Sequence, residues 1–157
     1  MSARTDEWRR PSRGGATVGR VEATLLLCDY AEAVNGKLYV MGGGWNVAFS
    51  GGQPINVALA ILVICPWDQT NRRHELRVEL LTGDGQVVEI QGQALSFTAE
   101  FELGRPPGIK PGTSLNAPFA WNLQGLTLPL GGYEWKVRID GEPIEGRAFQ
   151  VLERPTA

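Results

Sequence analysis

INVALAILVIC, residues 55 to 65, is a near-continuous apolar run whose reading decides the fold. In a β context, a run without polar alternation marks a strand buried on both faces. Glu22 to Tyr30 has the same character, so both segments are expected to lie centrally in their sheets. Between them, Asn35-Gly36 supplies the positive-φ pair of a tight hairpin turn within Ala33 to Phe49, and Lys37-Leu38-Tyr39-Val40-Met41 leads out of it.

Downstream segments alternate, which fixes their faces. Leu76, Val78 and Leu80 are expected to point inward, with Glu75, Arg77 and Glu79 outside, before Gly83-Asp84-Gly85 turns the chain. Phe97, Ala99, Phe101 and Leu103 face in, opposite Thr98, Glu100 and Glu102. Tyr133, Trp135, Val137 and Ile139 face in, opposite Glu134, Lys136, Arg138 and Asp140. Repeated period-2 patterning calls for antiparallel sheets, each with one wet face, and two such sheets bury their dry faces against each other. The expected fold is therefore an all-β, two-sheet antiparallel sandwich of about nine strands with no substantial helix. Its connectivity stays open between Greek-key and jelly-roll forms. An immunoglobulin-like order is less favoured, because Cys28 and Cys65 lie too close in sequence to match a bridged pair spanning a central Trp strand.

A length of 157 residues fits one domain, and 20 glycines with 10 prolines suit many short strands joined by turns. Residues 1–19 form a basic tail without apolar periodicity, 20–153 the sandwich domain, and 154–157 a short C-terminal tail. The net charge of -2 is uneven: residues 1–20 carry five arginines against Asp6 and Glu7, leaving -5 on residues 21–157. An acidic body argues against nucleic-acid binding, which needs a basic face to release phosphate counterions. Neither a secretory h-region nor a stretch of about 18 apolar residues occurs, so a cytoplasmic protein without membrane contact is expected.

Chemistry-bearing residues are sparse. Cys28 and Cys65 sit in the apolar runs TLLLC and ILVIC and read as buried, inert thiols. His74, the only histidine, reads as a surface or strand-end residue, since one histidine with two distant cysteines makes no zinc site. Asp29, Asp68, Asp84 and Asp140 fall at strand ends as turn caps rather than calcium ligands, and Glu100 with Glu102 as a solvated face. Gly42-Gly43-Gly44-Trp45 lacks the following helix of a phosphate loop and reads as a bend between sheets, with Trp45 free to contact a partner. No catalytic constellation, metal or cofactor is expected.

The segments Leu26-Leu27-Cys28-Asp29-Tyr30-Ala31, Asn35-Gly36-Lys37-Leu38-Tyr39, Gly42-Gly43-Gly44-Trp45, Pro66-Trp67, Asn71-Arg72-Arg73-His74, Gly104-Arg105-Pro106-Pro107-Gly108 and Gly132-Tyr133-Glu134-Trp135 resemble a family of small uncharacterised bacterial proteins. The likeness spans roughly residues 21 to 152. It implies an all-β domain of unknown function in a bacterial cytoplasm and brings no catalytic residues.

What remains is a non-catalytic interaction or structural module, self-associating or joined to a protein partner through open strand edges. Its candidate contacts are Trp8, Arg9, Arg10 and Arg13 in the tail, Trp45 at the bend, and Arg105 and Lys110 in the proline-stiffened loop 104–112. The alternative is a small-ligand or carbohydrate binder stacking its ligand on Trp45, Trp67 or Trp121.

Overall fold

The computed structural model describes residues 19–50 and 53–155, and the fold is all-β. Its strands are β1 (Glu22–Cys28), β2 (Tyr30–Val34), β3 (Lys37–Met41), β4 (Val47–Phe49), β5 (Ile55–Cys65), β6 (Arg73–Thr82), β7 (Glu89–Ile90), β8 (Gln93–Ala94), β9 (Ser96–Glu102), β10 (Leu115–Leu126), β11 (Gly131–Ile139) and β12 (Glu142–Leu152). Among the described residues the helical content is one 3-10 turn, Trp67–Gln69, and no helix is long and apolar enough to cross a membrane.

Among the described residues, twelve strands in four sheets stand where the pattern led to about nine in two. A three-stranded sheet runs β1-β5-β10, a five-stranded sheet runs β4-β12-β11-β6-β9, and β2-β3 and β7-β8 are separate hairpins. The surplus comes from local turn chemistry. Asp29 divides β1 from β2 inside what reads as one run, and Gln91-Gly92, with φ of 53° and 78°, closes the small β7–β8 hairpin. Pairing is antiparallel except where β4 lies parallel to β12.

One main core joins the two larger sheets. Leu25 and Leu27 of β1 and Leu59 and Ile61 of β5 are buried in the same cluster as Val78 of β6 and Trp135 of β11. The inward sets read from β6 and β11 are buried as expected, whereas Phe97, Ala99, Phe101 and Leu103 are only half-buried because β9 is a sheet edge. Aromatic rings close that side. Phe101 packs on Phe119, Phe119 on Trp121, Trp121 on Phe97 and Phe97 on Trp135, at centroid distances of 5.6, 6.2, 5.8 and 6.3 Å. Near the start of β11, Tyr133 Oη donates to the Pro129 carbonyl at 2.6 Å, pinning the turn that leads into the strand.

Three expectations need correction. β5 is central, but β1 is an edge whose residues alternate between buried and exposed. Glu79, placed outside by alternation, is covered there, its carboxylate 2.8 Å from Arg77 Nε. His74 stands at a strand end but is buried rather than on the surface. Residues 1–18, 51–52 and 156–157 lie outside the described residues. Gly19, counted with the tail, donates its amide to Asp68 Oδ2 at 3.1 Å, and Val21 already belongs to the core.

Candidate interaction surface

The outer face of the three-stranded sheet carries small side chains where the β2–β3 hairpin covers it. Register places Cys28, Ala58 and Asn122 on one rung and Leu26, Ala60 and Ala120 on the next. Cys28, Ala58 and Ala60 form a second buried cluster with Ala31 of the hairpin, and Leu38 and Ala120 pack against it. Side chains this short let a second backbone layer lie close, and Asn122 bonds it in place. Asn122 Nδ2 donates to the Ala31 carbonyl at 2.8 Å, and Oδ1 accepts the Ala31 amide at 3.1 Å.

Both ends of the hairpin are set by backbone demands. Asn35 and Gly36, at φ of 51° and 72°, make the expected two-residue turn. At the base the Asp29 amide donates to the Met41 and Gly42 carbonyls, at 3.0 and 3.2 Å. Gly42 has φ of +62° and lies so close to the Asp29 carboxylate that a Cβ would overlap it. The chain then leaves the hairpin, and the Gly44 amide donates to the Leu27 carbonyl at 2.8 Å as the backbone heads for β4. The glycine cluster is thus a bend between sheets, as its sequence suggests.

With Ala31 turned inward, alternation turns Tyr30, Glu32 and Val34 outward, together with their cross-strand partners Met41, Tyr39 and Lys37. Met41 is 67% exposed, Tyr39 53%, Tyr30 46% and Val34 38%. Leu26 of the sheet and Val40, which shares the Ala31 rung, are exposed beside Gly43 on the ribbon's sheet-facing side. Four of the eleven exposed large hydrophobic side chains among the described residues therefore lie on the one outward face of the hairpin. Contiguous exposed apolar surface marks interaction sites, and tyrosine and methionine are favoured in interface cores.

A model of the family of unknown function (DUF6941) matches residues 23–152, from β1 to the end of β12. The chain belongs to this family. No curated protein matches it. The DUF6941 region contains the whole hairpin surface and leaves out the arginine-rich first 20 residues.

The contact residues read from the DUF6941 chain's sequence are scattered. Trp8, Arg9, Arg10 and Arg13 lie outside the described residues. Trp45 is half-buried, edge-on to Phe149 at 6.1 Å, with its indole nitrogen buried. Arg105 is turned back on its own domain: its guanidinium stacks 3.8 Å from the Trp67 ring centroid, Nε donates to Thr70 Oγ1 and Nη2 to the Trp67 carbonyl, each at 2.8 Å. Lys110 is exposed in the loop. Of the stacking candidates, Trp67 is capped by Arg105 and Trp121 stacks between Phe97 and Phe119. A groove of about 500 Å³ lies elsewhere, on the five-stranded sheet over Gly132 and Ala148 between Val47, Leu81, Glu134 and Gln150.

Four titratable groups outside the patch, His74, Asp140, Cys28 and Cys65, are engaged structurally. His74 Nδ1 lies 2.6 Å from Asp140 Oδ2, its Nε2 lies 2.8 Å from the Gln69 carbonyl, and its ring stacks on Phe101 at 5.2 Å. Both neighbours are acceptors when Asp140 is ionised, so both bonds form together only with the imidazolium. Burial works to raise the Asp140 carboxyl, but hydrogen bonds from His74 and the Glu75 amide and the charges of His74 and Arg72 together hold it below its ordinary value. Burial, reinforced by Asp29 and Asp68 respectively, raises the Cys28 and Cys65 thiols, which keeps both protonated. Among the described residues no three His, Cys, Asp or Glu side chains gather as a metal site.

Tyr30, Val34, Tyr39 and Met41 were not among the residues singled out by sequence reasoning. A signal was present, since the hairpin is apolar in both registers and a two-stranded ribbon has only one face to lay on the body.

Proposed function

We propose that this domain is a non-catalytic protein-interaction module that presents the β2–β3 hairpin face to a protein partner in the cytoplasm. The observation that carries the reading is the concentration of exposed Tyr, Val and Met side chains on a hairpin fixed underneath by Ala31, Leu38 and Asn122. A firmly seated scaffold with an apolar outer face binds without first having to order itself. The two buried free cysteines support a reducing compartment.

We further read the body as an immunoglobulin-like two-sheet sandwich. With β1, β5, β6, β10, β11 and β12 as strands A, B, C, E, F and G, the sheets become A-B-E and G-F-C, with β9 beside C and β4 beside G. The Tyr133 bond to Pro129 supports this, because a tyrosine corner belongs at the start of strand F.

The test is a photo-crosslinking residue placed at position 39 of the full chain in cells that make the protein. A specific protein adduct is expected from position 39 and none from position 98 on the charged β9 edge; equal labelling at both would remove the proposal. A second reading, a small-ligand site, is favoured only by the groove over Gly132 and Ala148. Saturable ligand binding abolished by Ala148→Trp would support it.

A further inference from the structure

We infer that the occupant of the hairpin face is a second copy of the same chain. This rests on the interaction-module reading and names its partner. The argument is one of charge and register. The face carries one acid, Glu32, and one base, Lys37, on opposite strands and on adjacent rungs, set among Tyr30, Val34, Tyr39 and Met41. It is therefore neutral in a chain whose net charge is -2, so two copies meet there without net charge facing net charge.

The layout is also self-complementary. A two-fold axis along the strands, lying between two facing hairpins, puts β2 of one copy over β3 of the other and keeps base on base and tip on tip. Tyr30 then meets Met41 of the other copy, a favourable aromatic–sulfur contact. Glu32 meets Tyr39, and Lys37 of the other copy lies over Val34, one rung away from Glu32. Facing sheets stand about 10 Å apart and one rung on the same face is about 7 Å along the strand, a gap that a lysine and a glutamate span together. The axis repeats every contact, so each interface holds two Glu32–Lys37 pairs, as an isologous contact requires. The axis puts the two bodies on opposite sides of the paired hairpins.

The test is sedimentation of the purified full chain and of two charge variants, each checked by circular dichroism for an unchanged fold. The parent chain is expected to sediment at twice its mass. Glu32→Lys and Lys37→Glu each place like charges across the axis and are expected to weaken self-association at least about tenfold. Mixed in equal amounts, the two variants regain opposite charges at both pairs and are expected to form a heterodimer. Dimers from either variant alone at parental affinity, or a mixture that stays monomeric, would overturn the second-copy proposal. A parent chain monomeric at every concentration overturns it too. In that case a heterologous adduct from position 39 leaves the module reading standing, whereas no adduct there removes both.

Discussion

The two faces of β5 are both closed, but by different means. Its inner face, Val57, Leu59, Ile61 and Val63, meets large side chains from the five-stranded sheet in the main core. Its outer face, Ala58 and Ala60, meets only a two-stranded ribbon, through Ala31, Leu38 and one asparagine. Farther along that face Leu62 and Ile64 are left half-covered. Volume holds the first contact, while small size and hydrogen bonds hold the second. The first closes the domain; the second seats a ribbon whose opposite side is exposed.

The comparison breaks down if both faces respond alike to substitution. Leu59→Ala, at a fully buried position of the main core, is expected to cost about 3 kcal/mol in chemical denaturation and to destabilise the whole domain. Ala60→Leu forces volume into the thin layer, and a loss of about 2 kcal/mol is expected, with proteolysis appearing first at Asn35-Gly36 as the hairpin lifts. Asn122→Ala removes both bonds to Ala31, so about 1 kcal/mol is expected to be lost, with amide exchange rising in β2 and β3 more than in β5.

A pH series separates the main core from the hairpin. Because the Asp140 carboxyl is held below its unfolded value, its ionised form stabilises the fold fully above that value. That contribution fades as pH falls from the ordinary carboxyl value of 3.8 through the lower folded value. Asp140→Asn is expected to be less stable than the parent at neutral pH and to converge with it in acid, while hairpin exchange stays unchanged. The smallest stability effect belongs to Tyr39→Ser, within about 0.5 kcal/mol of the parent, since its side chain is 53% exposed. A larger loss at a concentration where the chain is monomeric would mean that Tyr39 supports the fold rather than a partner.

Much of the fold was legible as local pattern. The burial of β5 on both faces, the inward sets of β6 and β11, and the Asn35-Gly36 turn all follow from periodicity and turn chemistry. Tiny hairpins such as β7–β8 were not, because two residues per strand are too few to show a period. The exposed hairpin face, proposed as the interaction surface, was illegible for another reason. Trp45 and Arg105 attract attention as residue types, yet one packs on Phe149 and the other is held by Trp67 and Thr70. Tyr30, Tyr39 and Met41 look like ordinary strand residues until the covered face of the ribbon is known.

The chain's order of apolar and polar residues settles which way each side chain points relative to its strand neighbours, because extended backbone alternates its Cβ directions. Register across the fold settles which of two apolar faces is covered. Ala31 lies 91 residues before Asn122, and Leu25 accepts a bond from Arg147 122 residues later, so these partners meet only in the folded chain. Where β2 and β3 are apolar on both sides, that long-range docking decides which side becomes core and which faces out.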